Sequence, residues 1–73
     1  MNLFNAQLGV QHTIAGIETQ DEELDNFLFT LGCYTGEPIT VVSRRKSSCV
    51  VSLKDGRYNM DRALAEAISI SEE

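Results

Sequence analysis

The first 43 residues of this 73-residue chain contain no lysine and no arginine. Glu18, Asp21, Glu22, Glu23, Asp25 and Glu37 stand there unopposed, and all six basic residues fall later, three of them together as Arg44-Arg45-Lys46. With eleven acids and a net charge of −5, the chain lacks the phosphate-neutralising capacity that dominates nucleic-acid affinity, so nucleic acid is excluded as a partner. Histidine is nearly missing too. His12, alone between Gln11 and Thr13, supplies no set of nucleophile, base and orienting group, and the chain is read as a binding module, not an enzyme. The two cysteines, Cys33 and Cys49, are too few for a disulfide framework and form no C-x-x-C pair, so they are read as reduced, small apolar residues. His12, Cys33 and Cys49 fit no metal-ligand spacing, and neither metal nor cofactor is expected. There is no run of about eighteen apolar residues and no basic-then-apolar leader, so the expectation is a cytoplasmic protein that is neither membrane-inserted nor exported.

What the chain does have is enough apolar content, 42%, for one small domain over residues 1–73. Leu24, Phe27, Leu28 and Leu31 recur at helical spacing and predict one apolar helix face. Thr19 followed by Glu22 has capping-box spacing, and Asp21, Glu22 and Glu23 place negative charge at the helix's positive end, so the helix starts near Asp21. Gly32 follows the last apolar position, where a left-handed residue ends a helix without a Cβ clash. Tyr34, Thr35 and Gly36 then read as a tight turn.

Around this helix the pattern is that of strands. Residues 10–17 are rich in β-formers, and Ile14 and Ile17, out of phase for strict alternation across Gly16, predict a bulge. Residues 37–42 alternate through Ile39 and Val41, and residues 49–53 through Cys49, Val51 and Leu53. Asp55-Gly56 accepts the positive φ angles of a type I′ turn and predicts a hairpin into a strand carrying Tyr58 and Met60. Asp61 caps a short helical turn over residues 62–66, and Ile68 and Ile70 share a face of a closing strand, with residues 71–73 as a loose tail. The expected fold is mainly β: a small five-stranded barrel, with one α-helix after the first strand and a helical turn before the last.

These residues, in this order, resemble the FeoA family, the small cytoplasmic component of bacterial ferrous iron transport. The resemblance rests on Leu8-Gly9 leading into Ile14 and Ile17, and on Leu24, Phe27-Leu28 and Leu31-Gly32 with Gly36 four residues on. It continues through Ile39 and Val41, the strands around Asp55-Gly56, Met60 and Ala67-Ile68-Ser69-Ile70. Thr35 stands where family members often carry proline, and the loop over residues 43–48 is shorter than in many of them. The resemblance implies an SH3-like barrel and a partner, the membrane transporter FeoB with its GTP-binding domain. The same barrel is found at the C-terminus of iron-dependent repressors, whose DNA-binding and metal-sensing parts this chain lacks.

The candidate contact residues come from the chain itself. Phe29 lies about 140° around the helix from Leu24, on the polar side, and Tyr34 stands at the helix exit. With Cys33 they form one candidate partner-binding patch, and Arg44 and Arg45 offer a basic tip. Alternatively, Phe29 covers an edge of the barrel and Tyr34 lids its core. Gly32, Gly36, Asp55 and Gly56 are assigned structural roles. A second functional reading is a homo-oligomeric or metal-bridged scaffold acting without the transporter.

Overall fold

Alternation along the strands decides which side of the sheet is covered. In the computed structural model, which describes residues 1–54 and 56–71, five antiparallel strands form one sheet. They are β1 (Gln11–Ile17), β2 (Pro38–Arg44), β3 (Ser48–Leu53), β4 (Gly56–Asp61) and β5 (Ile68–Ile70), in the order β4-β3-β2-β1-β5. Helix α1 (Glu22–Leu31) joins β1 to β2, and α2 (Arg62–Glu66) joins β4 to β5. Cys49, Val51 and Leu53 of β3 all point inward, opposite Val51 stands Val41, and opposite Leu53 stands Ile39. Ile14, Ile68 and Ile70 extend the same buried face across β1 and β5.

The expected bulge is present. Ile14 pairs with Ile70 and Gly16 with Ser69, leaving Ala15 as the extra residue, so Ile14 and Ile17 both address β5. A second register shift between Val41 and Ser43 lacks any glycine or phase break to announce it in the sequence.

Of the expected five-stranded barrel, the structure shows the five strands in one open sheet: the hydrogen bonding does not close into a ring, and β4 and β5 remain its two ends. The cause is local. The Asp61 side chain accepts the Leu64 N–H at 2.8 Å and starts α2, which carries the chain from β4 across to the far edge of β1. Ala65 of α2 is fully buried between those ends. An unforeseen 3₁₀ turn at Leu3–Asn5 brings Leu3, Phe4 and Ala6 into the core. Its approach covers the outer edge of β5, through the Asn2–Ser69 bridge and the Ile70 N–H to Met1 carbonyl bond at 2.9 Å.

The β3–β4 hairpin forms, but its turn lies one residue earlier than Asp55-Gly56 implied. Leu53 pairs with Gly56, and the positive φ of 55° belongs to Lys54. Asp55 lies outside the described residues. A Cβ at Gly56 would meet the Tyr58 Oη at 2.9 Å, so the Tyr58 ring would have to shift to admit a side chain there. Of the predicted tail, Ser71 is tied to the fold, its N–H bonding Thr13 O at 2.8 Å; Glu72 and Glu73 lie outside the described residues.

Candidate interaction surface at the helix exit

Helix α1 starts and stops where its sequence dictates, though not by a capping box. Asp21 is the N-cap, its carboxylate accepting the N–H groups of Glu23 and Leu24 at 3.0 and 3.2 Å. Thr19 instead accepts the Asp21 N–H and pairs its hydroxyl with the Asp25 carboxylate. At the other end Gly32 takes φ 91°, its N–H bonds Phe29 O, and the Cys33 N–H reaches back to Leu28 O at 2.9 Å. These two bonds make a Schellman cap, with buried Leu28 and Cys33 as its apolar pair.

The apolar face is narrower than its spacing predicted. Leu28 is fully buried and Leu24 and Leu31 are half-buried, whereas Phe27 is 54% exposed. The sheet's inner face is already occupied by α2 and the 3₁₀ turn, so α1 touches the core along one row and leaves the flanking positions bare. Phe29, on the polar side, is 64% exposed.

The Schellman cap turns the chain so that Tyr34 comes beside Phe29, with ring centroids 5.0 Å apart and planes 37° from parallel. A turn from Tyr34 to Glu37, closed by the Glu37 N–H to Tyr34 O bond at 3.1 Å, has Gly36 at φ 94°. The Gly36 N–H donates to Ile14 O at 2.8 Å and fastens the turn to β1. Lys54, from the β3–β4 hairpin, completes the surface. Its Nζ sits 2.6 Å from the Glu37 carboxylate and 5.3 Å from the centre of the Tyr34 ring. Hydrogen bonding to Glu37, then to Tyr34, holds the Lys54 ammonium above its ordinary range. Lys54 and Glu37 escaped the sequence reading because nothing in their own neighbourhoods marks them; only the folded hairpin brings them together.

The five candidate contact residues therefore separate. Phe29 and Tyr34 form one surface. Cys33 is fully buried beneath it, which removes the thiol from any contact patch. Arg44 ends β2 and Arg45 follows it, at the opposite end of that seven-residue strand from Glu37 and about 20 Å away along it. Arg44 is also engaged, donating to Phe4 O at 3.0 Å and Ala6 O at 2.7 Å, and so holds the 3₁₀ segment against β2. Arg45 is exposed beside an open pocket of about 390 Å³ that Ser43, Ser48, Cys49, Val50 and Asn59 also line.

His12 faces inward and is 7% exposed. Its Nδ1 lies 3.1 Å from the Ser71 carbonyl, which can only accept, so Nδ1 carries the proton. Among the described residues Nε2 has no partner, and no group of three or more His, Cys, Asp or Glu side chains gathers to hold a metal ion. Nor does any helix among them have the length and apolarity to cross a membrane.

Burial pushes the Cys33 thiol up to about 11 from 9.0. It raises Cys49 as well, against the lowering effect of the Arg44 charge. Between those two pH values the unfolded chain releases the Cys33 proton and the folded chain keeps it, so stability falls as pH rises. The slope contributed by Cys33 approaches about 1.4 kcal/mol per pH unit. Urea midpoints at pH 8 and pH 10 should show a smaller drop for Cys33→Ala than for wild type; equal drops would assign the alkaline loss to other groups.

Residues 1–72 match the FeoA domain family. The chain belongs to that family. The FeoA fold seen here is shared with a FeoA protein from Chlorobium tepidum, at a TM-score of 0.86 and 19% identity over 96% of this chain and 68% of that one. Zinc-complexed FeoA from Stenotrophomonas maltophilia aligns at a TM-score of 0.84 and 16% identity, covering 97% of this chain and 89% of the other. That protein is described as a procaryotic SH3 domain protein and suggested as an activating factor of bacterial ferrous iron transport. A manganese-dependent transcriptional repressor aligns equally well, at 0.86 and 19% identity over 96% of this chain, which spans only 40% of the repressor's length. No curated protein is significantly similar to the chain in sequence.

Proposed function

We propose that this FeoA-family chain is a cytoplasmic accessory component of bacterial ferrous iron transport that docks on the cytoplasmic part of a FeoB-type transporter and transports nothing itself. Its SH3-like sheet serves as a small frame that presents one contact surface. Docking biases the nucleotide-linked conformations of the transporter's GTP-binding domain by favouring the state that fits the surface. The role is non-enzymatic.

The observation that carries this reading is the Phe29 ring, 64% exposed yet held in place against Tyr34 by a capped helix end. A preorganised exposed aromatic loses little freedom on binding and buries a large apolar area, which is how interface anchors act. The Lys54–Glu37 pair beside it adds charge that can set orientation.

The test is an NMR titration of the labelled chain with the isolated GTP-binding domain of the cognate transporter and with the whole transporter in detergent. Shifts or broadening centred on residues 29–36 are expected. Phe29→Ala should weaken binding at least about tenfold with little change in stability, as expected for a hot-spot aromatic. Tyr34→Ala should weaken binding too, with a stability loss on the order of 1 kcal/mol because its ring is half-buried under Lys54. No change with either form of the transporter would end the direct-docking reading. Sedimentation at several concentrations, with and without chelator, would then test self-association.

A further inference from the structure

A second concave surface lies at the other end of α1 and does not involve Phe29 or Tyr34. Leu24 from the first turn of α1 and Ala63, Leu64 and Ala67 around α2 line a groove of about 380 Å³, with Glu18 and Asp61 at its sides. Leu24, Leu64 and Ala67 are only partly covered by the rest of the chain. Glu22 and Glu23 extend the negative charge along the first turn beside Leu24. Among the described residues, no lysine or arginine lines the groove. The nearest base in sequence, Arg62, is spent elsewhere: its Nε pairs with Glu66 at 3.0 Å and its guanidinium lies over the Phe4 ring at 4.9 Å.

We propose that this groove binds an extended peptide segment of a partner protein in which aliphatic side chains alternate with lysine or arginine. The aliphatic side chains cover Leu24 and Leu64, and the basic ones meet Glu18 and the acidic first turn of α1. An apolar floor gives affinity by burial, and a single-sign rim selects the opposite charge while repelling acidic segments. A second copy of this chain is a poor occupant. Its basic tip, Arg44-Arg45-Lys46, is flanked by Ser43, Ser47 and Ser48, which have no apolar side chain to set on the floor, and Arg44 already holds the Phe4 and Ala6 carbonyls. The inference stands apart from docking at the helix exit, since a different set of residues reports it.

The experiment is a titration of the labelled full chain with the blocked peptide Lys-Leu-Arg-Leu-Lys-Leu-Arg, followed by amide shifts. Saturable shifts are expected at Glu18, Leu24, Leu64 and Ala67, with residues 29–36 unmoved. Glu18→Lys and Ala63→Gln, both at exposed positions, should each weaken the peptide about tenfold or more while the spectrum stays folded. The proposal is overturned by an absence of saturation. It is equally overturned if Lys-Ser-Arg-Ser-Lys-Ser-Arg binds as well, which would mean charge attraction alone. Shifts that follow protein concentration without peptide would also overturn it, by making a second copy the occupant.

Discussion

Truncating Leu28 to alanine should cost about 2–5 kcal/mol and release α1 from the sheet before the sheet itself unfolds. Leu28 is the one fully buried residue of this helix, and Leu24 and Leu31 beside it are only half-covered. A ten-residue helix without that anchor is too short to persist in water on its own caps. Hydrogen exchange should therefore show the α1 amides losing protection while those of β2 and β3 keep most of theirs. A uniform loss across the chain would show instead that helix and sheet unfold as one unit. The same variant should lose binding at the helix exit, because Phe29 meets Tyr34 only while the helix is seated. Phe29→Ala is the contrast, an exposed position at which binding should fall and stability should not.

Replacing Gly32 by valine should cost about 2–3 kcal/mol, from two separable sources. The first is backbone: φ 91° is a left-handed conformation that a β-branched residue resists. The second is space, since a Cβ at this position would lie 2.8 Å from Cε and 2.9 Å from Cγ of Lys54. Lys54 has to swing aside, and its contacts with Glu37 and Tyr34 go with it. Gly36 separates the two sources. It has φ 94° but open space where its Cβ would be, so Gly36→Ala should cost only the backbone share, about 1 kcal/mol. Urea denaturation of Gly32→Ala, alone and with Lys54→Ala, should recover part of the loss in the double variant. No recovery would mean that the Lys54 side chain moves away without consequence.

Sequence reading succeeded at the helix exit because the signals there are local. Gly32 one step past Leu31, and Gly36 four residues later, demand specific backbone angles whatever the rest of the chain does. The Asp61 cap and the bulge implied by Ile14 and Ile17 follow from the same kind of short-range constraint. The Asp55-Gly56 turn shows where such reasoning misleads. Asp-Gly favours the centre of a hairpin turn, yet Leu53 pairs with Gly56, so the turn falls at Lys54 and the register sets Tyr58 opposite Val51 and Met60 opposite Cys49.

The site was half legible. Phe29 fell on the polar face by helical geometry alone, which left both exposure and cover of a barrel edge open, and the ring is 64% exposed. Phe27 was assigned to the buried face by the same geometry and is exposed, since the core reaches only as far as the Leu24, Leu28 and Leu31 row. Cys33 was grouped with Tyr34 by adjacency, but neighbours across a Schellman cap point in different directions, one into the core and one onto the surface.

By itself the sequence determined where α1 and α2 begin and end, which strand residues alternate inward and where β1 breaks register. These depend on backbone preferences and on neighbours within a few positions. Only the tertiary structure decided that the sheet stays open between β4 and β5, that Arg44 ties down the 3₁₀ turn, and that Lys54 and Glu37 flank Tyr34. Such pairings join residues far apart in the chain, and they are settled by which surfaces remain uncovered once every other element has packed.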